Sequence, residues 1–177
     1  MAHIHTGIGE HDHTVGAYIV RLDGSEPRVF LHMHKKLGRL LPLGGHIELN
    51  ETPWQAIAHE LLEESGYTLS DLKTLQPKQR IESLYSAIIH PYPVVMNTHN
   101  ITADHFHSDT SYAFVADGEP QFKVGDGESN DLRWLTRSEL NQLQEPDIFL
   151  DAKQVYNFIL DTCLKDWDQI ETSTFKL

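Results

Sequence analysis

The 177-residue chain has a single cysteine, Cys163. It can form no internal disulfide, which excludes the cross-linked framework of small secreted domains and makes a reducing cytoplasm the expected compartment. Basic residues are also few: 14 Lys and Arg stand against 26 Asp and Glu, a net charge of −12 with histidine neutral. Nonspecific nucleic-acid binding and docking on anionic membranes both need a positive surface, so neither partner is expected. An anionic ligand would need a cation between itself and this chain. Long apolar runs are missing as well. Nothing approaches a membrane span, and Met1-Ala2-His3-Ile4-His5 has no apolar core of a signal peptide, so a soluble, unprocessed protein is expected. No repeat, low-complexity tract or Gly/Pro-rich linker divides the chain. Its length and 40% hydrophobic content fit one domain over residues 1–177, burying roughly 70% of its unfolded surface.

Local patterns mark out strands and helices. Thr14 to Leu22 and Arg28 to His34 read as a hairpin around Asp23-Gly24-Ser25-Glu26-Pro27, and Leu43 to Glu48 reads as a short strand with a tight backbone approach. Pro53 to Ser65 reads as a helix. Thr52 is its N-cap, Pro53 fills the first position, Gln55 completes a capping box and Gly66 ends it. Strands are expected at Arg80–Ile89, Val94–Asn97, His105–Ala116 and Asp131–Leu135. A second capping box, Thr136 to Glu139, opens a short helix. A C-terminal helix over about 147–164 carries an inner stripe of Val155, Phe158, Ile159 and Thr162, with Cys163 in the core. The intermixed order points to an α/β sandwich.

The Pro53 helix carries a charge pattern that packing does not explain. At about 100° per residue, Trp54, Ile57, Ala58 and Leu61 share one face, and Glu60, Glu63 and Glu64 share another. Like charges three and four apart repel by a few tenths of a kcal/mol per pair. Acid-rich faces are commonly only solvated, yet three carboxylates on one arc also suit a hard divalent ion, which takes oxygen ligands and keeps several waters.

The surrounding residues favour the ion. Gly45-x5-Glu51-x7-His59-Glu60-Leu61-Leu62-Glu63-Glu64-Ser65-Gly66-Tyr67 resembles the box of the Nudix hydrolase superfamily, which includes MutT. The match is complete except for His59, which stands where the family has arginine. Six fixed residues and two apolar sites would coincide by chance in about one such chain in 10⁵ to 10⁶. Lys35-Lys36-Leu37-Gly38, His105-Phe106-His107-Ser108-Asp109, Trp134 and Thr136 to Leu140 extend the likeness over roughly Val15 to Leu143. Leu40 and Leu43 depart from the family's Trp and Pro around the glycine pair.

The resemblance implies a Nudix α/β/α sandwich with a mixed β-sheet, and Mg²⁺- or Mn²⁺-dependent hydrolysis of a nucleoside diphosphate linked to another moiety. The substrate would be a small nucleotide-type molecule such as a nucleoside triphosphate or an oxidised nucleotide. By position, Glu60, Glu63 and Glu64 would hold metal, with the Gly44 carbonyl as a further ligand. Glu51 would hold the loop against the helix, and Gly45 and Gly66 would shape the box. Glu128, in Gly125-Asp126-Gly127-Glu128, resembles the loop glutamate that serves some members as extra ligand or general base. His59, one turn before Glu63, would orient that carboxylate. Lys35, Lys36 and Arg39 are the nearest cations for a phosphate, and His105, His107 and Asp109 would line the substrate pocket.

Two rivals come from the same residues. Four His-x-His pairs, His3/His5, His11/His13, His32/His34 and His105/His107, would each direct both imidazoles to one face of a strand, as in a transition-metal-binding protein or a cupin-like oxygenase. No Cys-x-x-Cys accompanies them, and no glutamate follows His107 at a cupin's spacing. The missing arginine invites a non-catalytic Nudix-like nucleotide sensor. Such sensors usually append a helix-turn-helix, and the segment after Leu143 is short and acidic for one.

Overall fold

In the computed structural model, which describes residues 6–177, two long strands organise everything else. The pair His3/His5 lies outside the described residues. β1 (His11–Arg21) and β2 (Arg28–His34) form the expected hairpin, with Val20 opposite Val29. β3 (Arg39–Leu41) folds back on β2, and β4 (Leu43–His46) pairs with the first half of β1, Thr14 facing His46 and Val15 facing Gly45. One strand therefore serves β4 along its beginning and β2 at its end.

On the other side, β7 (His105–Ala116) runs parallel to β1 from His11↔Phe106 to Arg21↔Ala116. β6 (Val95–Thr102) flanks the first half of β7 and β5 (Leu72–Pro77) its second half. β9 (Trp167–Glu171) pairs with β5, and β8 (Leu132–Thr136) with β2. Parallel and antiparallel pairs thus coexist in one mixed sheet with helices on both faces, the α/β/α sandwich.

Strand alternation sorts the core into two layers. Val15, Ala17 and Ile19 of β1 join Phe30, Tyr112 and Phe114 against α1 (Pro53–Ser65), where Trp54, Ile57 and Leu61 are fully buried. Tyr18 and Val20 face the other way, toward α2 (Arg137–Gln142), α3 (Leu150–Phe158) and the π-helical turn Ile159–Cys163. Full burial of each large apolar side chain is worth about 1.5–3 kcal/mol, so the three anchors of α1 fix which of its faces is left over. Ala56 is buried and Ala58 only half-buried, a small rotation from the expected face. The caps are as expected: Thr52 Oγ1 accepts from the Gln55 amide, the Gln55 side chain accepts from the Thr52 amide, and Gly66 closes α1 in the left-handed conformation.

Two expectations are corrected. Arg80–Ile89 is not a strand. Its Ile81, Leu84, Tyr85 and Ile88 are exposed, they do not alternate, and β5 takes the place beside β7 instead, burying Leu72 and Leu75. In the C-terminal helix the buried residues are Ala152, Tyr156, Ile159, Leu160 and Cys163, while Phe158 is 43% exposed and Val155 and Thr162 are half-buried. The Tyr156 hydroxyl donates to the Phe30 carbonyl, holding that side of the helix inward. Among the described residues no helix is long and apolar enough to cross a membrane.

Candidate active site

The site begins where β4 meets the exposed face of α1. The Gly44 amide donates to Glu64 Oε2 at 2.8 Å. A Cβ on Gly45 would collide with the Glu60 carboxylate, and one on Gly44, at φ +148°, would strike the Val15 carbonyl. The glycine pair thus lets β4 lie against β1 and the glutamates at once. After β4, the Glu51 amide donates to the Glu48 carbonyl at 3.0 Å, turning the chain back into α1.

His59 ties this turn to the helix. Its Nδ1 lies 3.5 Å from Glu51 Oε1 and its Nε2 3.0 Å from Glu63 Oε1. Burial works against charge on the imidazole, but the hydrogen bond to Glu63 and the charges of Glu63, Glu51 and Glu60 outweigh it and raise its pKa. Histidine here spans two carboxylates through its two ring nitrogens, a task for which arginine has a longer fork.

The glutamates differ in depth. Glu64 is 6% exposed, Glu60 is half-buried and Glu63 is exposed. Burial, helped by neighbouring carboxylates that include Glu128, raises the Glu64 pKa to about 9 against the Gly44 hydrogen bond, and the Glu60 pKa to about 7 against the charge of His59. Glu128 belongs to a loop docked on the end of α1: the Gly125 amide donates to the Glu63 carbonyl at 2.7 Å, and Lys35 Nζ donates to the Gly127 carbonyl at 2.6 Å. Crowded carboxylates that hold protons in the absence of a counterion are a fitting donor set for a hard divalent ion, whose charge would release those protons.

His32, read in the sequence only as part of a His-x-His pair, joins the site beside Glu64. Alternation along β2 puts it on the same face as Phe30, under α1, with Nδ1 3.8 Å from Glu64 Oε1. Burial, then the charge of His34, lowers its pKa to about 4, so it stands neutral beside Glu64.

The expected phosphate-binding cations are not gathered. Lys35 reaches the Glu128 loop, Lys36 lies near His34, and Arg39 stacks over the Phe149 ring at 4.6 Å. His105, His107 and Asp109 lie on the first half of β7, between β1 and β6. Asp109 accepts from the Thr14 hydroxyl at 2.9 Å and from Ser111 at 2.5 Å, and its pKa is raised by burial against those bonds. His105 and His107 instead meet Asp12 and His46, which carry no motif and are brought in by strand pairing alone. A cavity of about 390 Å³ lies along the start of β1 and the loop between β4 and α1, lined among others by Asp12, His13, Glu48 and Glu51.

The family model described as NUDIX domain matches residues 12–158. No curated protein sequence matches the chain. Among solved structures, a NUDIX-family hydrolase from Clostridium perfringens is 26% identical with a TM-score of 0.67, over 86% of this chain and 97% of that one. The NUDIX domain of Shewanella oneidensis NrtR, complexed with ADP ribose, is 16% identical with a TM-score of 0.61, over 84% and 85%. A MutT NUDIX hydrolase from Burkholderia pseudomallei is 22% identical with a TM-score of 0.57, over 84% and 97%.

Proposed function

Because the chain belongs to the NUDIX family, we propose that it is a divalent-cation-dependent hydrolase, cleaving the phosphoanhydride of a nucleoside diphosphate that carries a further moiety. The carrying observation is the convergence on one helix face of Glu60, Glu63 and Glu64, with His59 bound to both Glu63 and Glu51.

Glu60, Glu63 and Glu64, with the Gly44 carbonyl, would hold Mg²⁺ or Mn²⁺. The ion supplies charge neutralisation on the phosphate oxygens and a water of lowered pKa. The protein's own residues do the rest. Glu128, on the loop pinned by Lys35 and by the end of α1, takes a proton as the water oxygen bonds to phosphorus and the anhydride P–O bond breaks toward the leaving phosphate. His59 holds Glu63 in one rotamer, and Glu51 keeps the imidazole aimed along α1. The whole chain acts as one catalytic unit, since α3 and β9 after Leu143 build its second layer and sheet edge.

A phosphate-release screen over nucleoside triphosphates, oxidised nucleotides, nucleotide sugars and ADP-ribose, with Mg²⁺ and then Mn²⁺, tests this. ADP-ribose is included because the NrtR domain was captured with it. Turnover of one class, abolished by EDTA, is expected. Binding of such a nucleotide with no turnover of any would establish a sensor instead.

A further inference from the structure

We infer that Asp12, His46, His105 and His107 form a binding site for Zn²⁺, separate from the glutamate face. One ligand atom from each of the four lies within 4.8 Å of all the others. Asp12 Oδ2 is 3.4 Å from His105 Nε2 and 3.6 Å from His46 Nε2. Tetrahedral zinc with bonds of about 2.0–2.1 Å sets its ligand atoms about 3.3 Å apart, so two edges of the tetrahedron are nearly in place. His107 closes the figure, its ring centroid 4.8 Å from that of His46 and 5.1 Å from that of His105.

The backbone holds this arrangement. Asp12 pairs directly with His107 across β1 and β7, and His46 faces Thr14, two residues along β1 on the same side as Asp12. Three strands of one sheet therefore supply the ligands, and small side-chain rotations suffice to bring them onto an ion. Asp12 is 2% exposed, so the ion would sit against a buried carboxylate with three imidazoles around it. Three nitrogens and one oxygen suit a borderline first-row ion and are poor ligands for Mg²⁺. Four ligands among the described residues are the number that a structural zinc takes.

The site is tested with the tag-free full chain, stripped with a chelator that is then removed. Zn²⁺ is titrated calorimetrically, and Co²⁺ absorption reports tetrahedral coordination. Wild type and Glu63→Gln should each bind one Zn²⁺ in the micromolar range or tighter at this site, with a raised Tm. His107→Ala should weaken that binding by about 10²-fold or more, since even the loss of a residue supporting a ligand costs 10–100-fold. Asp12→Asn, which keeps the shape, should do the same and carries the test should His107→Ala misfold. The inference is overturned if wild type binds no Zn²⁺, if both cluster variants bind as wild type does, or if binding disappears in Glu63→Gln.

Discussion

Gly45 and His46 are adjacent in β4 and serve different chemistry. Gly45 faces α1 and leaves room for Glu60, whereas His46 turns to Asp12 and His105 on the opposite side of the strand. On the α1 side, carboxylates crowd one another and keep raised pKa values. On the other, imidazoles surround one carboxylate, and burial with the charges of His46, His99 and His105 lowers His107 to about 4, which leaves its ring nitrogens neutral as a metal requires. A strand with a period of two can therefore hold an oxygen-rich site and a nitrogen-rich site one residue apart without mixing them.

The sharpest way to break this contrast is to remove charge from the oxygen side. Glu63→Gln keeps shape and should lower kcat by about 10²-fold or more, read in steady-state kinetics on the best substrate of the screen. Near-normal kcat would remove Glu63 from the catalytic site.

His59→Ala should lower kcat by about 10-fold, since it frees both Glu63 and Glu51. His59→Arg should retain or raise activity. An alanine variant equal to wild type, beside an inactive Glu63→Gln, would give the orienting role to another residue.

Proton linkage separates the two sides without mutation. In the metal-free folded chain, burial and the nearby Glu63 and Glu128 make Glu60 and Glu64 keep protons above the ordinary value of 4.5, against His59 at Glu60 and the Gly44 amide at Glu64. The folded state then binds more protons than the unfolded one. Its stability from these groups is full below about pH 4.5 and is lost as pH rises through about 7 and then 9. The Tm of chelator-treated protein should fall by at least about 3 °C from pH 5 to 9, and saturating Mg²⁺ should remove most of that fall. A flat Tm profile would mean that the carboxylates ionise freely.

The smallest effect is expected at Lys35. Its hydrogen bond to the Gly127 carbonyl positions the Glu128 loop, so Lys35→Ala should reduce kcat only a few-fold, with Tm nearly unchanged. A loss as large as that of Glu63→Gln would show that Lys35 contacts substrate directly.

Much of the oxygen side was legible in the linear chain because its residues are neighbours along one helix and one turn. Periodicity, caps and the box spacing place Glu51, His59, Glu60, Glu63 and Glu64 within a single 13-residue helix and the loop before it. The departures arise where long-range pairing decides. Residues 80–89 look apolar enough for a strand, but β6 and β5 take the two halves of the edge of β7. Phe158 sits on the expected stripe, yet Tyr156 turns inward in its place, where its hydroxyl reaches the Phe30 carbonyl of a distant strand.

By itself, then, the sequence determined the chain's family, the helix that bears the glutamates and the bridge that His59 makes to a carboxylate one turn away, since each depends on contacts within about twenty residues. Only the tertiary structure decided that Asp12, His46, His105 and His107 share one point in space, that His32 lies beside Glu64, and that Glu128 returns to α1 on a docked loop. The first of these meetings joins Asp12 and His107, 95 residues apart, and follows from the register of β1 against β4 and β7, which local propensity does not encode.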